Sequence, residues 1–269
     1  MAHTICLINQ KGGCGKSSTC FHLAGAFAHL GLRVLLVDMD PQGSLSQGFL
    51  GSVYVETLSS DHTIASLFDD VQFFSAHASL IVDTPVDGVS LCPANQHLAA
   101  YNGPSPEKTG LGQYAVHDFL NNHREFDIVL IDCPPNLYRC SWTAMVAADA
   151  VLIPVPPEDF GTQGLRAVHQ CISQARQLKP TLSMLGHLIT RSDRRLLVHR
   201  MYEQKLREMY GESVLETVIP EASAFKVALT CRRPVQLHSP RVRAAKLTLQ
   251  LAREILERIG MEERNRQVA

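Results

Sequence analysis

The stretch TICLINQKGGCGKSST, residues 4–19, places an apolar run directly before a glycine-rich loop that ends in lysine and serine. The apolar run, residues 4–9, predicts a short buried β-strand. From Lys16 the apolar residues recur at helical spacing, which predicts a helix that ends at Gly31. A loop between a strand and a helix gathers backbone N–H groups at the helix N-terminus, where the helix dipole favours an anion.

The glycine-rich loop has the composition of a phosphate-binding loop. Its glycines let the backbone approach phosphate groups closely, the Lys16 side chain is expected to contact the outer phosphates, and the Ser17 hydroxyl is expected to bind Mg²⁺. We expect the loop, with its lysine, to be exposed. The loop residues expected around the phosphates are Gly12, Gly13, Cys14, Gly15, Lys16, Ser17 and Ser18.

The loop departs from the common pattern of such sites. The usual G-x-x-x-x-G-K-[ST] motif fails at its first position, which is Gln10, and the sequence reads K-G-G-x-G-K-S instead. Lys11 is a second lysine that a phosphate loop does not need. Either its position is accidental, or the phosphate site is completed from another chain. Cys14 is either an oxidation-sensitive thiol or a small buried filler.

The 269-residue chain has the composition of a globular protein, with 45% hydrophobic and 19% charged residues. Its eight cysteines are spread singly, without a CxxC pair that would suggest zinc. No apolar run approaches the length of a bilayer span, and no signal-peptide pattern opens the chain. We therefore expect a soluble cytosolic protein with reduced thiols.

Charge is distributed unevenly along the chain, although the formal net charge is only −1. Residues 1–185 carry 9 Lys and Arg against 16 Asp and Glu, whereas residues 186–269 carry 16 against 10. A basic region of this kind is compatible with a surface that binds polyanions. The alternative is that the basic residues lie on solvated helix faces.

Buried-strand patterns alternate with helical patterns along most of the chain. Strands are predicted at residues 33–38, 127–132, 150–155 and 185–190, and residues 214–220 are expected to form the last strand. The main further helices are predicted at residues 161–177, 195–209 and 240–259. This alternation predicts an α/β fold, with a doubly wound, mostly parallel sheet and helices on both faces, in a single domain over residues 1–269. Residues 41–110 are the least regular part, and we expect mobile loops there.

Aspartates stand at the ends of two predicted strands. Asp132 ends the run IVLID, and Asp38 and Asp40 stand in the segment VLLVDMD. A magnesium–nucleotide site needs a carboxylate near the metal, so we expect Asp38 and Asp132 to serve the metal with Ser17, Asp132 through water. Asp40 is expected to orient or deprotonate an attacking water. Each aspartate alone is equally compatible with a helix cap or a turn, but the three elements occur in the order that such a site requires.

Six segments resemble, in order and across nearly the whole chain, the ParA/MinD family of deviant Walker A ATPases, and specifically its ParA/Soj-type partition ATPases. They are KGGCGKSS (11–18), RVLLVDMDPQGSLS (33–46), FDIVLIDCPPNL (126–137), VLIPVPPEDFGTQGL (151–165), LETVIPEASAF (215–225) and CRRPVQLHSPRVRAAK (231–246). The resemblance implies a P-loop NTPase fold with ATP and Mg²⁺ as cofactors.

The resemblance also implies a role for Lys11. In the family, two subunits sandwich two ATP molecules, and the signature lysine of each subunit reaches the phosphates bound by the other. Lys11 is therefore expected to act in trans, similar to the arginine finger of GTPases, and to form the catalytic set with Asp40. The residues that the resemblance implies around the adenine, and that ordinary strand-end loops would explain equally well, are Thr190, Arg191, Pro220 and Glu221.

The function implied by the resemblance is ATP-dependent DNA partition. ATP-bound homodimers would bind DNA without sequence preference on the nucleoid, and a ParB-like partner would stimulate a weak intrinsic ATPase and so release them. Sequence-specific operator binding is not expected. The candidates for contacts with DNA phosphates are Arg194, Arg195, Arg232, Arg233, Arg241 and Arg243.

Other members of the family suggest alternatives. The runner-up is a related ATPase that positions a protein cargo, such as a microcompartment or a chemoreceptor cluster, and the third reading is a nucleotide switch without significant hydrolysis. A MinD-type membrane helix is not expected, because the last predicted helix has a core-packing pattern and the tail at residues 260–269 is polar. A cluster held by Cys92 and Cys133, as in nitrogenase iron proteins, is not expected because their flanking residues differ from that subfamily.

Overall fold

A computed structural model describes residues 2–69, 80–157 and 162–263, without the side chains of residues 106–109 and 162–163. Its strands are β1 (His3–Leu7), β2 (Val34–Asp38), β3 (Val82–Asp83), β4 (Val89–Cys92), β5 (Ile128–Asp132), β6 (Ala150–Val155) and β7 (Ser183–Ile189). Within the described ranges these strands form one sheet in the order β3-β4-β2-β5-β1-β6-β7. Every neighbouring pair is parallel except β3 and β4.

Helices connect the strands and cover the sheet. They are α1 (Lys16–His29), α2 (Ser44–Leu50), α3 (Ser52–Thr57), α4 (Ala115–Asn121), α5 (Arg139–Ala147), α6 (Thr162–Ala175), α7 (Leu197–Tyr210), α8 (Ser223–Thr230), α9 (Val235–His238) and α10 (Arg243–Arg258). Short 3-10 helices lie at Ser60–His62, Ile64–Phe68, Gln96–Tyr101, Pro106–Tyr114 and Gly211–Ser213.

Side chains alternate between the two faces of the sheet, and both faces are packed. Along β1, Ile5 and Leu7 join the core on one face, whereas Cys6 joins the core on the other. Burial on both faces explains why the inner strands are continuous apolar runs. The predicted doubly wound, mostly parallel sheet with helices on both faces is confirmed.

Parallel pairing at the centre of the sheet brings the ends of three strands together. Leu7 of β1 pairs with Asp132 of β5, and Asp132 pairs in turn with Asp38 of β2. The loop that follows β1 and both strand-end aspartates therefore lie at the same carboxyl edge, where ligands of open α/β sheets bind.

The predicted strand at residues 214–220 is wrong. This segment makes only isolated bridges, from Val214 to His187 and from Pro220 to Ser192. Between the bridges, the carboxylate of Glu254 on α10 accepts the backbone N–H groups of residues 216 and 217 at 2.7 and 2.9 Å. These donors are therefore used by a side chain rather than by a strand ladder.

The region 41–110 contains more regular structure than the sequence predicts. It holds α2 and α3, and β4 pairs in parallel with β2 inside the sheet. The four residues of β4 are too few to give a clear periodic signal. Residues 70–79 of this region lie outside the described part, and the expectation of mobile loops stays a prediction.

The three predicted long helices are confirmed as α6, α7 and α10. The apolar side chains of α10 pack into the core at Leu251, Ala252, Ile255 and Leu256, as its pattern predicts. Residues 158–161 of the fourth resembling segment and residues 264–269 of the polar tail lie outside the described residues. In the part of the chain that the structure describes, no helix has the length and apolarity to cross a bilayer.

Close packing of α1 against the segment before α9 gives a test of the fold. A Cβ built on Gly25 of α1 would collide with the side chain of Pro234, whereas a Cβ on Gly164 of α6 would meet no atom within 4 Å. We expect Gly25→Ala to lower the free energy of unfolding by about 1–3 kcal/mol because the core is overpacked. Gly164→Ala should raise it by about 0.5–1 kcal/mol through helix propensity. Urea denaturation measures both, and equal effects would contradict this packing.

Candidate functional site

The glycine-rich loop has a backbone that only glycine adopts readily. Gly13 and Gly15 have φ values of 70° and 92°, in the left-handed region. Gly15 caps α1, so the free N–H groups of the first helical turn lie beside the loop. Gly12 and Gly13 are exposed. The local structure is therefore that of an anion site at a helix N-terminus.

Lys16 is buried, with 6% of its surface exposed, and this corrects the expectation that it is exposed. Its Nζ donates to the backbone carbonyl oxygens of Asn9 at 3.0 Å and Lys11 at 3.3 Å. These two bonds fix the ammonium group inside the loop. Cys14 is also fully buried, and burial raises the pKa of its thiol, which favours its role as a filler.

Asp38 is fully buried and is held by the chain itself. Its Oδ2 accepts from the Ser46 backbone N–H at 2.9 Å and from the Ser46 hydroxyl at 2.7 Å, and its Oδ1 accepts from the Asp40 N–H at 3.1 Å. Burial raises the pKa of Asp38 to about 7, although these hydrogen bonds offset part of the effect. Asp38 therefore ties the end of β2 to the first turn of α2.

Asp132 is fully buried as well, but within the described residues neither of its carboxylate oxygens has a hydrogen-bond partner. Burial, followed by repulsion from Asp38, raises its pKa well above the ordinary value, and the nearby Ser17 hydroxyl and Lys16 ammonium offset part of this. A buried carboxylate without partners, next to a serine hydroxyl, fits the environment of a Mg²⁺ ion.

A cavity of about 430 Å³ opens beside the loop. Asp40 lines it, at 8% exposure, and the Asp40 Oδ1 accepts from the Gln42 N–H at 3.0 Å. The cavity is also lined by every predicted nucleotide-binding residue except Lys11, namely Gly12, Gly13, Cys14, Gly15, Lys16, Ser17, Ser18, Thr190, Arg191, Pro220 and Glu221. The structure therefore brings the predicted phosphate and adenine residues into one space.

The side chains of Thr190 and Arg191 form hydrogen bonds to other residues that line this cavity. The Thr190 hydroxyl donates to the Cys14 carbonyl oxygen at 2.7 Å. Arg191 donates from Nη1 to the Gly13 carbonyl oxygen at 2.8 Å and from Nε to Glu221 at 2.9 Å. Arg191 adopts a left-handed backbone with a φ of 54°, which is unfavourable for a non-glycine residue and is held by these contacts.

Sequence reasoning missed several of the residues that line the cavity. The additional lining residues include His22, Leu23, Phe225, Leu229, Thr248 and Leu251. His22 and Leu23 follow Ser18 at helical spacing on α1, so they could have been found by extending the loop along one helix face. The residues of α8 and α10 carry no such local signal.

The chain matches known proteins over almost its whole length. A family model described as an AAA domain matches residues 2–184. The chromosome partitioning protein ParA of Caulobacter vibrioides is 33% identical over 268 residues, which cover 98% of this chain and 96% of that protein. The chromosome-partitioning ATPase Soj of Thermus thermophilus is 34% identical over 256 residues, which cover 95% and 96%. The chain belongs to the ParA/Soj family of partition ATPases.

Solved structures agree with this family. Cobyrinic acid a,c-diamide synthase from Mycobacterium smegmatis with a bound ATP analog and magnesium is 27% identical, with a TM-score of 0.79 and coverage of 97% of this chain and 96% of that one. A McdA–ATP complex from Cyanothece has a TM-score of 0.81 and 98% coverage of both chains, but at 20% identity it shows the fold alone. As a ParA/Soj-type protein the chain is an ATPase, with ATP and Mg²⁺ as its cofactors.

Lys11 lies outside the lining of its own cavity. Its backbone N–H donates to Asn9 Oδ1 at 3.0 Å, and its carbonyl oxygen accepts from Lys16. The main chain of Lys11 thus shapes the ParA loop, while its side chain is half-buried at the edge. Whether this side chain acts in trans stays a prediction.

The predicted DNA-binding arginines lie on more than one part of the ParA fold. Arg194, Arg195 and Arg243 line a second cavity of about 500 Å³, together with acidic residues that include Asp193. Arg195 pairs with Asp193 at 2.7 Å. The remaining candidates, which are exposed at the end of α8 and before α10, are Arg232, Arg233 and Arg241. The structure supports exposure of all six residues but does not test DNA binding.

The contacts of Lys16 give a direct test of the nucleotide site. We expect Lys16→Ala to abolish ATP binding, because the cation for the outer phosphates is lost, while the monomer still folds. Lys179→Ala is the matched control, because the Lys179 Nζ also bonds a backbone carbonyl oxygen and lies far from the cavity. Calorimetric titration with ATP and Mg²⁺ measures affinity, and circular dichroism measures folding. Unchanged ATP affinity in Lys16→Ala would show that the phosphate loop is assigned wrongly.

Proposed function

We propose that this chain is an ATP-dependent DNA partition ATPase whose ATP-bound sandwich dimer binds DNA without sequence preference in the cytoplasm, on the nucleoid. A ParB-like partner stimulates its weak hydrolysis and releases it. The observation that carries the proposal is the position of the two loop lysines. Lys16 is fixed inside the cavity, whereas Lys11 stands at its rim, outside the lining. A cation at that position suits phosphates bound by a second subunit.

The residues of the cavity supply the parts of an ATP-hydrolysing site. Lys16 and the loop N–H groups bind the phosphates. Ser17 would hold Mg²⁺, with Asp132 acting through water, and Asp38, which was also predicted to serve the metal, anchors α2 through Ser46. When bound, Mg²⁺ neutralises charge on the phosphate oxygens. Asp40, at the cavity wall, orients the attacking water. Thr190, Arg191, Pro220 and Glu221 enclose the base and ribose end.

Electrostatics support a role for Lys11 in the dimer. Two bound triphosphates bring a large negative charge to a subunit interface, and charges in such a partly dry interface interact strongly. The Lys16 ammonium group offsets the charge within each subunit. Lys11 from the opposite subunit adds the cation that lets two loaded subunits approach each other.

The proposed DNA contacts follow from the basic C-terminal part. The six exposed arginines lie on loops and helix ends after β7. Long flexible side chains in these positions suit contacts with phosphate groups rather than with base edges. Such binding ignores sequence and depends steeply on salt concentration, because each neutralised phosphate releases counterions.

The dimer proposal is tested by comparing two variants of the cavity rim. Lys11→Ala should bind ATP nearly normally, because Lys16 and the loop amides remain, but it should stay monomeric. Asp40→Ala should bind ATP and form dimers, because it loses only the group that orients water, and its hydrolysis should nearly stop. Light scattering of each variant with ATP and Mg²⁺ gives the oligomeric state. If Lys11→Ala dimerises as readily as Asp40→Ala, Lys11 does not act in trans.

The DNA proposal is tested by charge reversal at the end of α8. The double variant Arg232→Glu with Arg233→Glu should lose ATP-dependent DNA binding and keep its nucleotide affinity. Arg124→Glu with Arg166→Glu is the matched control, since it changes the net charge equally at exposed positions in the acidic part of the chain. Fluorescence anisotropy at several salt concentrations measures binding. Salt-insensitive binding, or binding by the nucleotide-free monomer, would count against DNA and favour a protein cargo.

A further inference from the structure

Arg232, which follows the end of α8, packs its side chain on the junction between α2 and α3. A Cβ built on Gly51 at this junction would lie 2.5 Å from Arg232 Nη2, 2.6 Å from Cζ and 2.8 Å from Nη1. Because these three atoms are nearly equidistant from that position, the flat face of the guanidinium group is turned toward Gly51. A residue with a side chain would push the group away, so the contact depends on glycine.

Both residues of this contact have a positive φ, which is 90° at Gly51 and 52° at Arg232. Such a backbone is unfavourable for arginine and persists only where the surrounding structure holds it. Here the Arg232 N–H donates to the Leu229 carbonyl oxygen at 2.9 Å. Leu229 itself lies close to α2, because a Cβ on Gly48 would be 3.1 Å from its Cδ1. The end of α8 and the turn that follows it therefore contact α2 and its junction at two points.

α2 connects this contact with the nucleotide cavity. Its first residue, Ser44, lines the cavity, and Gly51 follows its last residue. The seven residues of α2 correspond to about 10 Å along the helix axis. Its first turn is tied to the sheet by the hydrogen bonds between Ser46 and Asp38. One end of this short helix thus lies in the wall of the nucleotide cavity, and the other end lies beneath Arg232.

We propose that α2 couples the occupancy of the nucleotide cavity to the position of Arg232. ATP bound against Ser44 displaces the start of α2, and a short packed helix transmits this displacement to its other end as a unit. Arg232 is one of the proposed DNA contacts, so the coupling gives ATP control over DNA binding within each subunit. This last step rests on the proposed function, whereas the movement of Arg232 depends only on ATP bound in the cavity.

The coupling is tested with a fluorescent label on Cys231, the neighbour of Arg232. Cys231 is exposed and the other seven cysteines are buried, so an environment-sensitive thiol reagent labels this position selectively. The emission is recorded without DNA, before and after ATP and Mg²⁺ are added at concentrations that saturate the site by calorimetry. We expect ATP to shift the emission of the wild type, because the turn at Arg232 moves with α2. A saturated protein without a shift overturns the proposal.

Arg232→Lys separates the contact from the charge. Lysine keeps the positive charge but lacks the flat group that packs on Gly51, so the shift should fall by at least about threefold. Arg233→Lys is the matched control and should keep the shift, because Arg233 is also exposed but the atoms nearest the Gly51 Cβ position all belong to Arg232. A smaller loss in Arg232→Lys overturns the proposal, since the signal then reaches α8 directly through the cavity wall at Leu229.

Gly51→Ala tests the other side of the contact. Its methyl group takes the place of the guanidinium group, so the shift should be lost. Gly260→Ala is the control, because Gly260 also has a positive φ, of 68°, and its Cβ would meet no atom within 4 Å. A folded Gly51→Ala that keeps the shift overturns the proposal, and if this variant does not fold, the two lysine variants decide.

DNA binding by the unlabelled proteins separates this proposal from the proposed function. A shift that Arg232→Lys reduces, in a protein that does not bind DNA, contradicts the DNA proposal and supports the coupling. DNA binding without such a shift overturns the coupling and leaves the DNA proposal intact.

Discussion

The rest of the site depends on two fully buried carboxylates, Asp38 and Asp132, at the carboxyl edge of the sheet. Parallel register makes them direct neighbours on β2 and β5. Burial raises the pKa of both, and repulsion from Asp38 raises the pKa of Asp132 further. Asp38 is satisfied by Ser46 and the backbone. Asp132 has no hydrogen-bond partner among the described residues, and the nearby Ser17 hydroxyl and Lys16 ammonium favour its ionised form. The sheet register thus places a buried carboxylate beside the loop, where we propose that Mg²⁺ binds.

The contacts around this edge also connect the loop with more distant elements. Thr190 and Arg191 hold loop carbonyl oxygens, and Arg191 and Lys226 both pair with Glu221. Lys226 lies in α8, and the exposed arginines 232 and 233 follow the end of this helix. A contiguous set of hydrogen bonds and ion pairs therefore runs from the phosphate loop to the helix that precedes part of the basic surface.

The parts of the structure that depend on local sequence could be predicted. The inner strands are buried on both faces and so form continuous apolar runs, and the loop glycines are required by the local backbone. The parts that depend on distant residues could not. Residues 214–220 have a strand-like composition. However, the Glu254 side chain on α10 accepts hydrogen bonds from two of their backbone N–H groups. The burial of Lys16 depends on carbonyl oxygens that no motif specifies, and the contact of His22 with Val235 spans 213 residues.

The phosphates and the base of a nucleotide require different chemistry for their recognition. All nucleoside triphosphates carry the same phosphates, so the proposed contacts of Lys16, the loop amides and the metal would supply affinity without selecting a base. Selection must come from the base itself, which is uncharged, and a charged residue buried beside it would be costly. The apolar walls of the cavity at Leu23, Phe225 and Leu229 fit an uncharged group.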